Sequence, residues 1–152
     1  MSDQHVATLR RAFEAFARGD IEAVAATLDP DVVWEGVSEL VPGGARHRGL
    51  DEVVQQVFET IRDAYDELSA EPEEFIDAGE KIVVLGTFTL RPEGAVRTIS
   101  TPFVQVAEFR DGRVARARWF TDTAEWLFAM PEAPSSSQVS ARCEPHHSRS
   151  EN

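Results

Sequence analysis

A chain of 152 residues, 42% of them hydrophobic and with charges of both signs, is long enough to bury one core and does not have a disordered composition. Its formal net charge of −12 argues against nucleic acid or an anionic membrane surface as a partner, since both are bound through clustered Lys and Arg. A single cysteine, Cys143, excludes an intrachain disulfide or a thiolate metal site, so a cytoplasmic protein is expected.

The opening MSDQHVATLRR has neither an apolar run nor a cleavage pattern, so no signal peptide is expected. Val6, Leu9, Phe13 and Phe16 recur at spacings of three and four, which predicts an amphipathic helix over 3–18. Gly19 suits its left-handed C-terminal position. Asp20 then caps a second short helix that turns Ile21, Val24 and Leu28 inward. Asp29-Pro30-Asp31 reads as a turn, and Val32-Val33-Trp34-Glu35 as a short strand. Residues 36–48 hold three glycines and a proline without a sustained pattern and read as a loop.

Leu50 to Leu68 carries the longest helical pattern, with Asp51 and Glu52 placed to suit the helix dipole and Pro72 to stop it. Glu74 to Ala78 is a short strand. Lys81 to Arg91 alternates, with Ile82, Val84, Phe88 and Leu90 on one face. A second long strand is expected over Val96–Arg110 and a third over Val114–Thr121, joined by an Asp111-Gly112 hairpin turn. A short helical turn runs on to Met130. The tail, 132–152, is Pro/Ser-rich with almost no large apolar residue, and is expected to be disordered outside a single domain over 1–131. Strands segregated from helices make an α+β protein, built on an antiparallel meander.

LRRAFEAFARGDIEAVAATLDPDVVWEG, RHRGLDEVVQQVF, VVLGTF and FVQVAEFRDGRVARARWFTDTAEWL occur in order. Together they resemble the SnoaL-like branch of the nuclear transport factor two-like (ketosteroid isomerase-like) superfamily, over roughly residues 5–130. The resemblance implies a cone, in which a strongly bent sheet wraps the N-terminal helices and the long helix around an apolar cavity. It also implies a homodimer packed on the outer sheet face. Its activities range over polyketide cyclases, isomerases, epoxide hydrolases and dehydratases, and include non-catalytic ligand binders.

Asp122 carries the sharpest expectation. In the family's cyclases an Asp at this position, before Thr-Ala, acts as acid/base, and desolvation against aromatic walls would raise its pKa toward neutrality. Asp122-x-x-Glu125 is equally the spacing of a helix cap. Gln105 interrupts an apolar strand and either lines the cavity, where it can polarise a substrate oxygen, or bonds within the sheet. The isomerase base position falls near Gly36, and Glu35 beside it reads as a strand-end charge. The strand Gly86-Thr87-Phe88-Thr89 lacks the Arg and Asp of the epoxide hydrolases.

His47 is a further acid/base candidate at the cone opening or a surface histidine. Trp34, Phe58, Trp119 and Tyr65 are candidate substrate-binding residues, and Trp126 joins them as wall or core. Arg116 can pair with Glu108 across the hairpin. No phosphate loop or hydrolase nucleophile motif is present, His146-His147 is the weak metal candidate, and no cofactor is implied. The resulting expectation is an enzyme that acts by proton transfer on an apolar carbonyl compound. Its alternatives are a non-catalytic binder of a small apolar or aromatic ligand and a dimeric interaction module.

Overall fold

The computed structural model describes residues 2–131. The tail from 132 onward, with Cys143 and His146-His147, lies outside the described residues, as does its expected disorder. Helix α1 (Ser2–Ala17) buries Leu9 and Phe13 and packs Val6 and Phe16 against the core. It ends as its sequence predicts: Gly19 takes φ +74°, the Gly19 N–H donates to Phe16 O and the Asp20 N–H to Ala15 O. These are the paired bonds of a Schellman cap. Asp20 then accepts from the Ala23 N–H at 3.0 Å and starts α2 (Ile21–Ala25).

Six strands form one open, curved sheet in the order β2-β1-β6-β5-β4-β3. β4 (Lys81–Pro92), β5 (Ile99–Arg110) and β6 (Arg113–Thr121) form the expected antiparallel meander. Asp111 (φ 52°) and Gly112 (φ 80°) turn its second hairpin, both in the left-handed region that such a turn requires. β1 (Leu28–Glu35) runs parallel to β6, so the sheet is mixed at that edge.

Four sequence expectations need correction. Asp29-Pro30-Asp31 does not reverse the chain. Asp29 Oδ1 accepts from the Asp31 N–H at 2.8 Å, the local bond of an Asx turn, but β1 continues through it as an irregularity against β6 between Leu28 and Val33. Leu28 and Val32 are both buried, and burying both keeps the strand on course. Residues 46–48 are not loop: Arg46–Arg48 forms β2 and pairs with β1, Trp34 opposite His47.

The long helix is shorter than its apolar pattern. It begins as α3 (Leu50–Val53), widens into a π-helical turn over Val54–Glu59 and closes as α4 (Thr60–Ala64). Tyr65 is already extended, and β3 (Tyr65–Asp77) pairs along its length with β4. Tyr65 and Leu68 satisfy a 3.6-residue period; on the strand both turn inward only through the irregularity between Tyr65 and Glu67, and pairing with β4 wins. Pro72 therefore lies in a strand; β3 is a sheet edge, where a missing N–H costs little. Finally, β5 begins at Ile99, and Val96 is exposed in the preceding loop.

The core lies between the inner sheet face and the helices. Gly86 shows how tightly it is closed: a Cβ there would sit 2.6 Å from the Phe103 ring and closer still to the Glu71 carbonyl. The last element, α5 (Thr123–Ala129), turns Trp126 and Ala129 inward and leaves Phe128 exposed.

Candidate functional site: an apolar cavity with one amide

The inner faces of β1 and β3–β6, together with α1, α2, the π-turn, α4, α5 and the loop after β1, enclose a cavity of about 90 Å³. That is several times the volume a single water needs. Its walls are aromatic and aliphatic. Trp34 packs edge-on to Phe58 at 5.3 Å and lies 5.7 Å from Trp119; Phe88 lies 5.6 Å from Trp119 and 5.2 Å from Trp126. Alternation places these residues: Phe88, Gln105 and Trp119 occupy inward positions on three neighbouring strands. Gly36, Pro42, Gly43 and Gly44 bring the loop backbone into the wall, and a Cβ on Gly36 would meet the Gly44 carbonyl.

No lining residue is titratable. Gln105 is the one lining side chain whose polarity does not come from an indole. It is 4% exposed, and its Oε1 has no hydrogen-bond partner. Trp119 Nε1 and Trp126 Nε1 are likewise buried and unpartnered. Gln105 and Trp119 stand directly opposite each other on β5 and β6, yet the acceptor of one and the donor of the other do not bond together. Each such buried group costs on the order of 1–3 kcal/mol unless something supplies its bond.

The structure separates the expected site residues. Trp34, Phe58, Trp119 and Gln105 meet around the cavity. Asp122 does not: it is exposed, and its Oδ1 accepts from the Ala124 N–H at 3.1 Å and the Glu125 N–H at 3.4 Å. Of its two readings, the geometry is that of the helix cap. It serves the cavity only by starting α5, which carries Trp126. His47 lies on β2, 2.9 Å from Glu52 Oε2, and is not in the wall. Through that bond, and through the Arg48 N–H, Glu52 is held below the usual carboxylate range.

Tyr65 is buried outside the lining. Its hydroxyl donates to Pro42 O at 3.1 Å, fastening the loop, and burial pushes the phenol pKa up. Phe13, Phe16, Leu68 and Phe88, which their apolar patterns place on helix stripes or a strand face, also line the cavity, as does Ala70. Alternation gives their inward direction; whether inward means packed or lining depends on the sheet's curvature.

Charge is kept to the other face of the sheet. Glu35 is not a free strand-end charge: Arg116 holds its Oε2 through Nη2 at 2.6 Å and Nε at 3.1 Å. Arg116 also reaches Glu108 at 3.8 Å, as the hairpin register predicts, and Lys81 and Arg46 extend the row. Among the described residues no cluster of His, Cys, Asp or Glu could hold a metal ion, and no described helix is long and apolar enough to cross a membrane.

A bent sheet closed over helices around a cavity is the architecture of nuclear transport factor two-like cone proteins. Within it the chain belongs to the SnoaL-like domain family, whose profile matches residues 9–117. A nuclear transport factor two-like protein of unknown function from Burkholderia pseudomallei K96243 is 34% identical, with a TM-score of 0.76 over 83% of this chain and 96% of that one. TerC, crystallised with polyporic acid, is 22% identical, with a TM-score of 0.73 over 83% and 97%. A protein described as a candidate SnoaL-like polyketide cyclase from Jannaschia sp. CCS1 is 20% identical, with a TM-score of 0.70 over 84% and 91%. No match was found among curated proteins.

Proposed function

We propose that this SnoaL-like domain binds one small, largely apolar organic molecule in its cavity, and that the cavity side chains orient the molecule rather than exchange protons with it. The observation that carries this reading is the wall itself, lined by aliphatic and aromatic residues, with the Gln105 amide and three indoles its only side chains that carry a polar atom and no titratable side chain. Desolvated walls of this kind retain apolar ligands, and a few placed polar groups set their orientation. TerC's crystallisation with polyporic acid supports a small-molecule role for the fold.

Native mass spectrometry of the purified protein, alone and with a panel of small aromatic carbonyl compounds, tests this. One bound molecule per chain is expected, and Ala70→Phe, which fills the cavity, should remove it while leaving the circular dichroism spectrum native. Binding that survives Ala70→Phe, or no binding at all, refutes the reading.

The enzyme reading, cyclisation, isomerisation or dehydration of a carbonyl compound, draws support from two neighbours described as candidate polyketide cyclases. On this chain the proton would have to travel through the substrate or water, since Asp122 is engaged as a cap outside the wall. A homodimer on the outer sheet face belongs to the same proposal, as does a reducing, cytoplasmic setting suggested by the single cysteine. Phe120 is 51% exposed on that face, opposite Val104, which adjoins Leu85; Val106 and Val83 extend the strip to Ile76. Sedimentation should give a dimer, and Phe120→Glu a folded monomer.

A further inference from the structure

The outer face of the sheet carries charge of opposite sign at two opposite corners. On β2, Arg46 and Arg48 stand beside Glu35 and Val33 of β1, and these stand beside Arg118 and Arg116 of β6. Glu35 holds Arg116 and Arg46, and Glu108 reaches Arg116 as well. Arg48 and Arg118 make no ion pair among the described residues, so cations exceed carboxylates at this corner. The other corner is acidic. Glu71 and Glu74 take outward positions on β3, opposite Thr87 and Leu85, and are exposed with no ion pair among the described residues. Glu73 between them accepts from Thr87 Oγ1 at 2.8 Å.

Strand register maps what lies between the corners. β2 and β3 are the two edges of the sheet. Pairing runs Arg46, Glu35, Arg118, Val106, Val83, Ile76 along one row and Phe120, Val104, Leu85, Glu74 along the next. A line from the arginine corner to the glutamate corner therefore crosses the face at Val106, Val104 and Phe120, its apolar middle. A face that docks on its own copy does so about a two-fold axis, and must be complementary to itself across that axis. An axis through the apolar middle and perpendicular to the line lays each corner over the opposite corner of the second copy. An axis along the line would set arginines on arginines and glutamates on glutamates.

We infer that a second copy of this chain docks on the outer sheet face in one orientation, with the arginine corner of each copy on the Glu71–Glu74 corner of the other and Phe120, Val104 and Val106 at the centre. This rests on the dimer reading above and specifies how the two copies meet. Apolar contact at the centre supplies most of the affinity, and the rim charges choose the orientation, because like charges set against each other repel. Every contact occurs twice about the axis, so each charge pair counts double.

Two double variants test the orientation. Arg46→Glu with Arg48→Glu reverses the basic corner, and Glu71→Lys with Glu74→Lys reverses the acidic one. All of these side chains are exposed; Arg46 alone gives up an ion pair, at 3.9 Å to a Glu35 that Arg116 still holds. With circular dichroism native, sedimentation equilibrium at low salt should show each variant's dimer weakened at least about tenfold. Mixed together, the two variants should form a heterodimer about as tight as the parent dimer, because every facing pair is again opposite in sign; native mass spectrometry separates it from both homodimers. Overall charge predicts the reverse for one variant: the acidic-corner reversal makes the chain less negative than −12, and by general repulsion alone it would associate more tightly.

Either variant dimerising as tightly as the parent or more so, or a mixture that yields no heterodimer, would overturn the inference and leave the dimer reading, which Phe120→Glu tests, standing. A monomeric parent would overturn both.

Discussion

Replacing Asp122 by Ala and by Asn separates the cap from the acid. The carboxylate is exposed and its visible work is to accept the Ala124 and Glu125 N–H groups, two of the orphan donors that open α5. Losing such a cap costs about 1 kcal/mol. For a domain of this size that lowers the urea midpoint by about 0.5 M and the melting temperature by about 4 °C. α5 has seven residues and holds to the core chiefly through Trp126, which packs on Phe88 at 5.2 Å and Tyr65 at 5.9 Å. Fraying of α5 in Asp122→Ala should therefore shift Trp126 emission to the red and weaken whatever occupies the cavity.

Asn caps about as well as Asp, so Asp122→Asn should stay within about 0.5 kcal/mol of the parent and bind the same ligand. Urea unfolding followed by tryptophan fluorescence reads both effects. An Asp122→Ala protein as stable as the parent refutes the cap, and an Asp122→Asn protein that stays folded but loses all turnover of an identified substrate refutes the assignment of proton traffic elsewhere.

Gly86→Ala should cost at least about 2 kcal/mol by calorimetry, because the added methyl meets the Phe103 ring and a backbone carbonyl that cannot withdraw. Tyr65→Phe removes the bond to Pro42 O and should cost about 1 kcal/mol, with faster proteolysis in the loop between Gly36 and Ala45. The Glu52 carboxylate is held below its ordinary 4.5 by His47, so its share of stability is complete above pH 4.5 and is lost as pH falls through the lower folded value. The stability gap between the parent and His47→Ala should narrow accordingly as pH falls below 4.5, as read by urea titrations; a gap that widens there contradicts the pairing.

The meander was legible because its information is local. Alternation in Lys81–Pro92 gives the inner face, Asp111-Gly112 gives the hairpin, and Asp20 and Gly19 give their caps, each within a few residues. Two misread stretches were ambiguous for the opposite reason. Tyr65 and Leu68 are spaced as on a helix, and they share a strand face only through the irregularity that pairing with β4 sets between Tyr65 and Glu67; Asp29-Pro30-Asp31 keeps its local turn bond inside a strand that β6 directs.

The amino-acid sequence by itself determined the α+β class, the inward set of Trp34, Phe88, Gln105 and Trp119, and the absence of a charge among them, since side-chain direction on a strand follows from period two. It left Asp122 undecided, because Asp-x-x-Glu suits a cap as well as a strand-end acid. The tertiary structure shows the capping contacts: α5 starts at Asp122, so the carboxylate turns back onto Ala124 and Glu125, and Trp126 enters the wall. Curvature also decided that the inward aromatic residues surround a space instead of filling it. That property belongs to the whole sheet, and no local residue pattern encodes it.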